Sequence, residues 1–240
     1  MKIAVVGTGY VGLVAGVCFA DSGHTVTCID VDEQKIKSLK EGKTPIYEPG
    51  LEELMRQAWP RLSFTTRIED TLSDYSVFFI AVGTPEQSDG SADLRPTYSV
   101  IETICRNIKD KDLSAKKYIV LKSTVPIGTA KDLKHQVKNW TKFPIEIINN
   151  PEFLKEGAAI DDFLKPDRIV VGCTSTEAAG IMREIYEPFV LNGHPIHIMD
   201  NASAEMTKYA ANAFLSLKIS FINELALVAD KVGADINAVR

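Results

Sequence analysis

The chain has 240 residues, a formal net charge of −5, 45% hydrophobic residues and 25% charged residues. This composition is that of a soluble globular protein, and the length suits one large domain, or one domain with part of a second. The sequence has no basic run, so a nucleic-acid partner is not expected. No apolar stretch is judged long enough to span a membrane, so a membrane partner is not expected either.

The cysteines and the N-terminus both indicate a cytoplasmic protein. Cys18, Cys28, Cys105 and Cys173 form no CxxC pair and lie at no metal-ligand spacing with histidines. Buried, reduced thiols are therefore expected, without a metal site. The chain starts directly in a predicted strand, so no signal peptide is expected.

The first thirty residues carry the strongest motif. Lys2 to Val6 predict a short buried strand, residues 13–20 a helix, and Thr25 to Ile29 a second strand that ends in Asp30. Between the first strand and the helix lies the sequence Gly7-Thr8-Gly9-Tyr10-Val11-Gly12. Strand, glycine turn, helix, strand and acid follow in the order typical of a dinucleotide-binding unit.

Each residue of this motif has its own physical reason. Gly7 allows a sharp turn out of the strand, Gly9 allows a pyrophosphate to approach the backbone, and Gly12 allows close packing of the helix. The helix N-terminus attracts phosphates through its free N–H groups and its dipole. Asp30 can accept hydrogen bonds from the ribose hydroxyls and would repel a 2′-phosphate. The motif therefore predicts NAD binding in preference to NADP.

The rest of the chain alternates strands with helices, which predicts an α/β fold with a doubly wound, mainly parallel sheet. Strands are predicted at 64–65, 75–81, 117–121, 145–148, 168–172 and 195–199. Helices are predicted at 31–41, 51–59, 68–73, 96–108, 126–139 and 176–187. Thr124 is predicted to cap the helix that begins at Pro126, and Asn150 to cap a short helix that begins at Pro151.

Polar residues follow the carboxyl ends of several predicted strands. Thr84 follows one strand, Thr124 the next, and Glu152 to Glu156 a third. Open α/β sheets bind their ligands at this edge. Turn formation and capping would equally explain the two threonines. Lys35, in the first turns of the second helix, is compatible with a phosphate or ribose contact and equally with a surface position.

From residue 201 the pattern changes to one long helix. Asn201 or Ser203 is predicted to cap it, and Gly233 to end it. Residues 209–229 are apolar nearly all the way round, so the helix is expected to leave the sheet and to pack against another domain or subunit. Lys208 and Asn212 lie four residues apart, on one face. A solvent-facing stripe is the alternative interpretation of that pair.

Six motifs occur in order along the chain: Gly7 to Gly12, 46–50, 82–85, 122–126, 150–157 and 208–214. Together they resemble the UDP-glucose/GDP-mannose dehydrogenase family, and the resemblance covers the whole chain. It implies a Rossmann-like NAD-binding domain over residues 1–200. It also implies the start of a central helical domain over 201–240, through which the full-length protein would form a homodimer.

The resemblance implies that a UDP-sugar is oxidised at C6 from alcohol to carboxylate, with two NAD⁺ reduced, through a cysteine-bound intermediate. The cofactor would be held by Gly7, Gly9, Tyr10, Val11, Gly12, Asp30, Lys35, Thr84, Thr124 and Glu156. The sugar nucleotide would be bound by Glu152, Phe153, Leu154, Lys155, Lys208 and Asn212. Glu152 would be the general acid/base and Thr124 would position the hydrolytic water. Lys208 and Asn212 would stabilise the oxyanion at C6.

One departure from the family affects the expected activity. The family's nucleophilic cysteine lies in a glycine-rich motif that the four cysteines here do not match, so an N-terminal fragment that binds NAD without completing the reaction is expected. Oxidation of GDP-mannose or a UDP-N-acetyl-hexosamine remains an alternative. So do a non-catalytic NAD-binding module and a two-electron alcohol dehydrogenase.

Overall fold

The computed structural model describes residues 1–108, 116–190, 193 and 195–240 as an α/β fold. The strands are β1 Lys2–Val6, β2 Thr25–Ile29, β3 Leu62–Thr65, β4 Val77–Ile80, β5 Lys117–Leu121, β6 Ile145–Asn149, β7 Ile169–Gly172 and β8 Ile196–Met199. The helices are α1 Tyr10–Asp21, α2 Glu33–Lys40, α3 Leu51–Ala58, α4 Arg95–Asn107, α5 Thr129–Trp140, α6 Ala159–Leu164, α7 Thr176–Tyr186, α8 Asn201–Val232 and α9 Ile236–Val239. The bounds of β1, β2 and β5 are those predicted from the sequence.

The strands form one sheet in the order β3-β2-β1-β4-β5-β6-β7-β8. The pairing is parallel throughout, except between β6 and β7. The predicted doubly wound, mainly parallel sheet is thus confirmed. The strand order reverses between β1 and β4, and this switch point is where such sheets bind ligands.

Alternate residues of the sheet enter two hydrophobic cores, one on each face. In β1, Ile3 and Val5 enter the core beside α1, while Ala4 and Val6 enter the core beside α4 and α5. Because both faces are covered, a central strand such as β4, with the sequence Val-Phe-Phe-Ile, is apolar and buried throughout. Phe19 of α1 is fully buried, and burial of one such side chain contributes about 1.5–3 kcal/mol.

The predicted cap of the fifth helix is wrong. The helix α5 begins at Thr129 behind Gly128, and its N-terminus is held by Glu205 of α8 instead of by Thr124. The Glu205 carboxylate accepts hydrogen bonds from the N–H groups of Gly128 at 2.6 Å and Ala130 at 2.8 Å. A carboxylate at this position satisfies two of the backbone donors at the helix start and complements the helix dipole.

The prediction of a short helix that begins at Pro151 is also wrong, because the next helix, α6, begins only at Ala159. The N–H of Leu154 donates to the Glu152 side chain at 2.7 Å, which makes a local turn in place of a helical bond. The segment 151–155 is therefore irregular, and its side chains are free to point towards the start of α8.

Capping of α8 differs in detail from the prediction, whereas its end is as predicted. Asp200 caps the helix by accepting from the N–H of Ser203 at 2.9 Å, in place of Asn201 or Ser203. Gly233 ends it with a positive φ of 73°, a conformation that glycine adopts without strain.

Beyond its first turns α8 leaves the sheet and is exposed. The side chains of Phe214, Leu217 and Phe221 are each more than 60% exposed. By length and composition alone α8 could cross a membrane, a property that it shares with core helices of soluble proteins. The expectation that no apolar stretch is long enough to span a membrane is therefore wrong for α8. The absence of a membrane partner stays a prediction.

Candidate functional site

The glycine loop joins β1 to α1 at the switch point of the sheet. Gly7 has a φ of 99°, and a Cβ atom there would lie 2.6 Å from the carbonyl oxygen of Ala81 at the end of β4. A Cβ on Gly9, in contrast, would have no heavy atom within 4 Å. Among the residues that the structure describes, no side chain caps the N-terminus of α1. The loop thus leaves open space in front of uncapped backbone donors, as an anionic diphosphate requires.

Asp30 lies against this loop. Its Oδ2 atom accepts from the N–H and the hydroxyl of Thr8 at 2.8 and 2.7 Å, and its Oδ1 atom accepts from the N–H of Asp32 at 3.0 Å. Burial would raise the pKa of Asp30, but these hydrogen bonds and the charge of Lys35 hold that pKa below its ordinary value. The carboxylate is therefore ionised and acceptor-only at neutral pH, which suits a ribose diol.

Thr84 and Thr124 lie on neighbouring loops that are tied together. The Thr84 hydroxyl donates to the carbonyl of Thr124 at 3.0 Å, and the Ser123 hydroxyl donates to the carbonyl of Val82 at 2.6 Å. The two loops follow the adjacent parallel strands β4 and β5. The structure thus brings the two predicted cofactor threonines together at the edge that also carries the glycine loop.

Lys208 and Glu152 form an ion pair from two distant parts of the chain. The Lys208 Nζ atom lies 2.9 Å from Glu152 Oε1, with side chains that are only 8% and 14% exposed. The ammonium group also lies 5.3 Å from the ring centroid of Phe153. Such a weakly solvated pair exerts a stronger field on a bound group than an exposed pair would.

A cavity of about 350 Å³ opens beside this ion pair. All six residues predicted to bind the sugar nucleotide line it, namely Glu152, Phe153, Leu154, Lys155, Lys208 and Asn212. Thr124 and Glu156 do not line it. Glu156 instead lies near Tyr10, since its charge is among the causes that raise the pKa of Tyr10.

The cavity also contains a lysine that sequence reasoning missed as a site residue. Lys122 is 4% exposed, and its Nζ atom donates to Asn150 Oδ1 at 3.2 Å and to the Tyr186 hydroxyl at 3.4 Å. Burial lowers the pKa of Lys122 to about 8. The negative charge of Glu152 acts to raise this pKa, whereas the positive charge of Lys208 lowers it further. The available signal in the sequence was a lysine directly after the apolar and aromatic run Tyr118 to Leu121.

Glu48 is a second missed residue. It is 6% exposed and accepts a hydrogen bond from the Tyr10 hydroxyl, and others from the backbone N–H groups of Gly157 and Ala159, both at 2.9 Å. Burial and the Glu48 hydrogen bond raise the pKa of Tyr10 to about 12, so the phenol remains a donor. In the sequence, Glu48 stands out only as part of the motif 46–50.

Comparison with known proteins gives consistent results. Residues 1–190 match the NAD binding domain of the UDP-glucose/GDP-mannose dehydrogenase family, and residues 202–240 match the central domain of that family. The UDP-glucose 6-dehydrogenase of Rhizobium meliloti is 45% identical over an aligned length of 245 residues. The alignment covers all of this chain and 55% of that protein.

Two solved structures share the fold. A UDP-glucose dehydrogenase from Pyrobaculum islandicum superposes with a TM-score of 0.92 at 41% identity, covering 99% of this chain and 55% of that one. A GDP-mannose dehydrogenase from Pseudomonas aeruginosa gives 0.93 at 35% identity, covering 100% of this chain and 55% of that one. The chain thus spans about half the length of these relatives. Because the two family domains together match nearly all of its residues, the chain belongs to the UDP-glucose/GDP-mannose dehydrogenase family.

Proposed function

We propose that this chain forms the cofactor site and part of the sugar site of an NAD-dependent UDP-glucose 6-dehydrogenase, which oxidises the C6 alcohol of UDP-glucose to a carboxylate with two NAD⁺. The observation that carries the proposal is the weakly solvated Lys208–Glu152 ion pair in a cavity at the ligand-binding edge of the sheet. In this proposal residues 1–200 are the cofactor domain and 201–240 begin the helical domain.

The cofactor would lie along the glycine loop. Open space at Gly9 and the uncapped start of α1, with Val11 in its first turn, fit a diphosphate. Asp30 fits the adenosine ribose, with Lys35 nearby in the first turn of α2. Thr84, Thr124 and Glu156 would contact the nicotinamide half. When bound, NAD⁺ accepts a hydride from the sugar carbon.

The residues of the cavity supply the proton chemistry. Glu152 would accept the proton of the C6 hydroxyl, and Lys208 with Asn212 would stabilise the oxyanion that develops there. Removal of one oxyanion donor typically costs about 10²–10³ in kcat, and a positioned general base contributes about 10²–10⁴. Thr124 would hold the water for the later hydrolytic step.

None of the four cysteines is proposed as a nucleophile. All four are buried, and burial raises the pKa of each thiol, so the reactive thiolate is suppressed. None of them lines the cavity. We therefore expect residues 1–240 alone to bind NAD⁺ without oxidising a nucleotide sugar. The buried free thiols also support the cytoplasmic location expected from the sequence.

The exposed apolar side chains of α8 support a homodimer of the full-length protein through its helical region, which light scattering would test. The superposition on a GDP-mannose dehydrogenase favours GDP-mannose as the second candidate substrate.

The decisive experiment is an assay of the full-length protein on UDP-glucose, GDP-mannose and UDP-N-acetyl-mannosamine with NAD⁺ or NADP⁺. We expect two NADH per UDP-glucose, loss of turnover in Lys208→Met and Glu152→Gln, and full turnover in the surface variant Glu69→Gln. NADP⁺ preference, or turnover that survives Lys208→Met, would contradict the proposal.

A further inference from the structure

The Glu48 carboxylate joins two segments that serve different ligands in the proposed function. Tyr10, which donates to it, is the first residue of α1 and belongs to the glycine loop that would hold the cofactor. Gly157 and Ala159, which also donate to it, lie shortly after residues 152–155, which line the sugar cavity. Residues 152–157 together are the sugar-site segment. Glu48 itself lies outside the cavity and outside the glycine loop.

The contacts converge on one carboxylate group. The backbone nitrogen of Gly157 lies 2.9 Å from Glu48 Oε2 and also 2.9 Å from the Tyr10 hydroxyl oxygen. The N–H of Ala159 donates to Glu48 Oε1. The Glu48 backbone is held in turn, since its carbonyl accepts from the N–H of Leu51 at 3.1 Å. A phenol, two backbone amides and a buried acid therefore form one connected unit.

We propose that Glu48 is a positioning residue that fixes the glycine loop and the sugar-site segment 152–157 relative to each other, so that NAD⁺ bound at the first orders the second. This inference rests on the proposed function. Glu48 would act on both ligands through Tyr10 and Gly157, without contacting either ligand.

The chemistry of the junction requires a carboxylate. Tyr10, Gly157 and Ala159 all donate to it, and only an ionised acid offers two acceptor oxygens without a competing donor. Charge-assisted bonds of this kind are roughly twice as strong as neutral ones. The hydrogen bonds outweigh the effect of burial and hold the pKa of Glu48 below its ordinary value. In Glu48→Gln an amide N–H would face backbone N–H groups, so the junction would open.

Amide hydrogen exchange of the full-length protein, with and without NAD⁺, tests the inference. In the wild type we expect NAD⁺ to slow exchange at Gly157 and Ala159 by about tenfold, a typical coupling between sites. In Glu48→Gln at saturating NAD⁺ this slowing should be lost, whereas Glu53→Gln on the exposed face of α3 should keep it. Glu48→Asp retains the charge and should restore part of it.

A purely structural role would give a different result. Glu48→Gln would then lower the unfolding temperature while NAD⁺ still slowed exchange at Gly157 and Ala159, and that outcome would overturn the inference. If Glu48→Gln does not fold, Tyr10→Phe takes its place, because it removes one hydroxyl and leaves both amide bonds to the carboxylate. In Tyr10→Phe the factor by which NAD⁺ slows exchange at Gly157 and Ala159 should be at least severalfold smaller than in the wild type. An unchanged factor would again overturn the inference.

The two proposals fail in distinguishable ways. A wild type that binds NAD⁺ and oxidises UDP-glucose, but shows no slowing at Gly157, contradicts the role of Glu48 alone. A wild type that binds no NAD⁺ contradicts the proposed function, and the role of Glu48 with it. With UDP-glucose as substrate, Glu48→Gln should lower kcat by about tenfold, since displacement of a positioning loop lowers the rate, and Glu53→Gln should not.

Discussion

Lys208 and Glu152 are 56 residues apart in sequence, and their side chains meet at 2.9 Å in a nearly solvent-excluded contact. Glu152 lies in the irregular segment after β6, and Lys208 lies two turns into α8. The pair therefore fixes the distance between the loop edge of the sheet and the helix that leaves it. It also places an acid and a cation side by side at the wall of one cavity.

Breaking this pair should destabilise the fold as well as stop turnover. Lys208→Met leaves the Glu152 carboxylate weakly solvated without its partner, and loss of one member of a buried pair costs about 3–5 kcal/mol. The double variant Lys208→Met with Glu152→Gln should recover more than half of that loss. Urea unfolding of the two single variants and the double variant measures the coupling. Additive losses would mean that the two side chains do not interact in solution.

Asp30 should decide the choice of cofactor. Asp30→Asn removes the negative charge and one acceptor from the predicted ribose contact, and a hydrogen bond to a charged group contributes about 1.5–3 kcal/mol. We expect NAD⁺ affinity to fall by more than tenfold and the preference for NAD⁺ over NADP⁺ to shrink. Titration of both cofactors measures this. Glu33→Gln, an exposed charge change at the start of α2, serves as the control and should leave both affinities unchanged.

Local features of the fold were accessible from the sequence, because they depend on neighbouring residues. The apolar runs of β1, β2 and β5 and the glycine that ends α8 are set locally, and the predictions for them were confirmed. The cap of α5 was missed because Glu205, which supplies it, lies 75 residues from Ala130. No local pattern at Thr124 could reveal a competitor so far along the chain.

The same distinction applies to the site. The family resemblance implied that residues of the 150–157 motif and of α8 bind one sugar nucleotide, and the structure brings Glu152 and Lys208 into contact. Lys122 was missed because its burial depends on Tyr186, which is 64 residues away. Its motif gave its position at a strand end, but not the aromatic residues that exclude water from it.

Lys122 should make stability depend on pH in the alkaline range. Its pKa is about 8 in the folded protein against 10.5 ordinarily, so between these values the unfolded chain binds more protons and stability rises with pH. Below pH 8 the full cost of burying the charge is present, at most roughly 3 kcal/mol. Lys122→Met should therefore stabilise the chain at pH 7. The substitution leaves no unsatisfied acceptor at Asn150, because Asn150 Oδ1 still accepts a hydrogen bond from the Tyr186 hydroxyl at 2.6 Å.

The measurement compares urea unfolding of the wild type and Lys122→Met from pH 7 to pH 10. The advantage of the variant should shrink as the pH rises through 8 towards 10, because the wild type then sheds its buried charge. An advantage that stays constant over this range would show that Lys122 does not titrate there.

Glu205 should be the residue that attaches α8 to the sheet. It is 2% exposed and, besides the two amide donors of α5, it accepts from Asn149 Nδ2 at 2.9 Å, so one carboxylate joins α8, α5 and β6. Glu205→Gln replaces an acceptor with a donor against these three donors. We expect a loss of about 2–4 kcal/mol in the free energy of unfolding, since hydrogen bonds to charged groups are costly to leave unmade.

Because Lys208 lies three residues after Glu205, the same change should also displace the ammonium group from Glu152. In the full-length protein Glu205→Gln should therefore lower kcat on UDP-glucose even well below its unfolding temperature, whereas Glu69→Gln should change neither stability nor kcat. If Glu205→Gln lost stability but kept full kcat, the ion pair would be held in place by Phe153 and the cavity wall, without help from the start of α8.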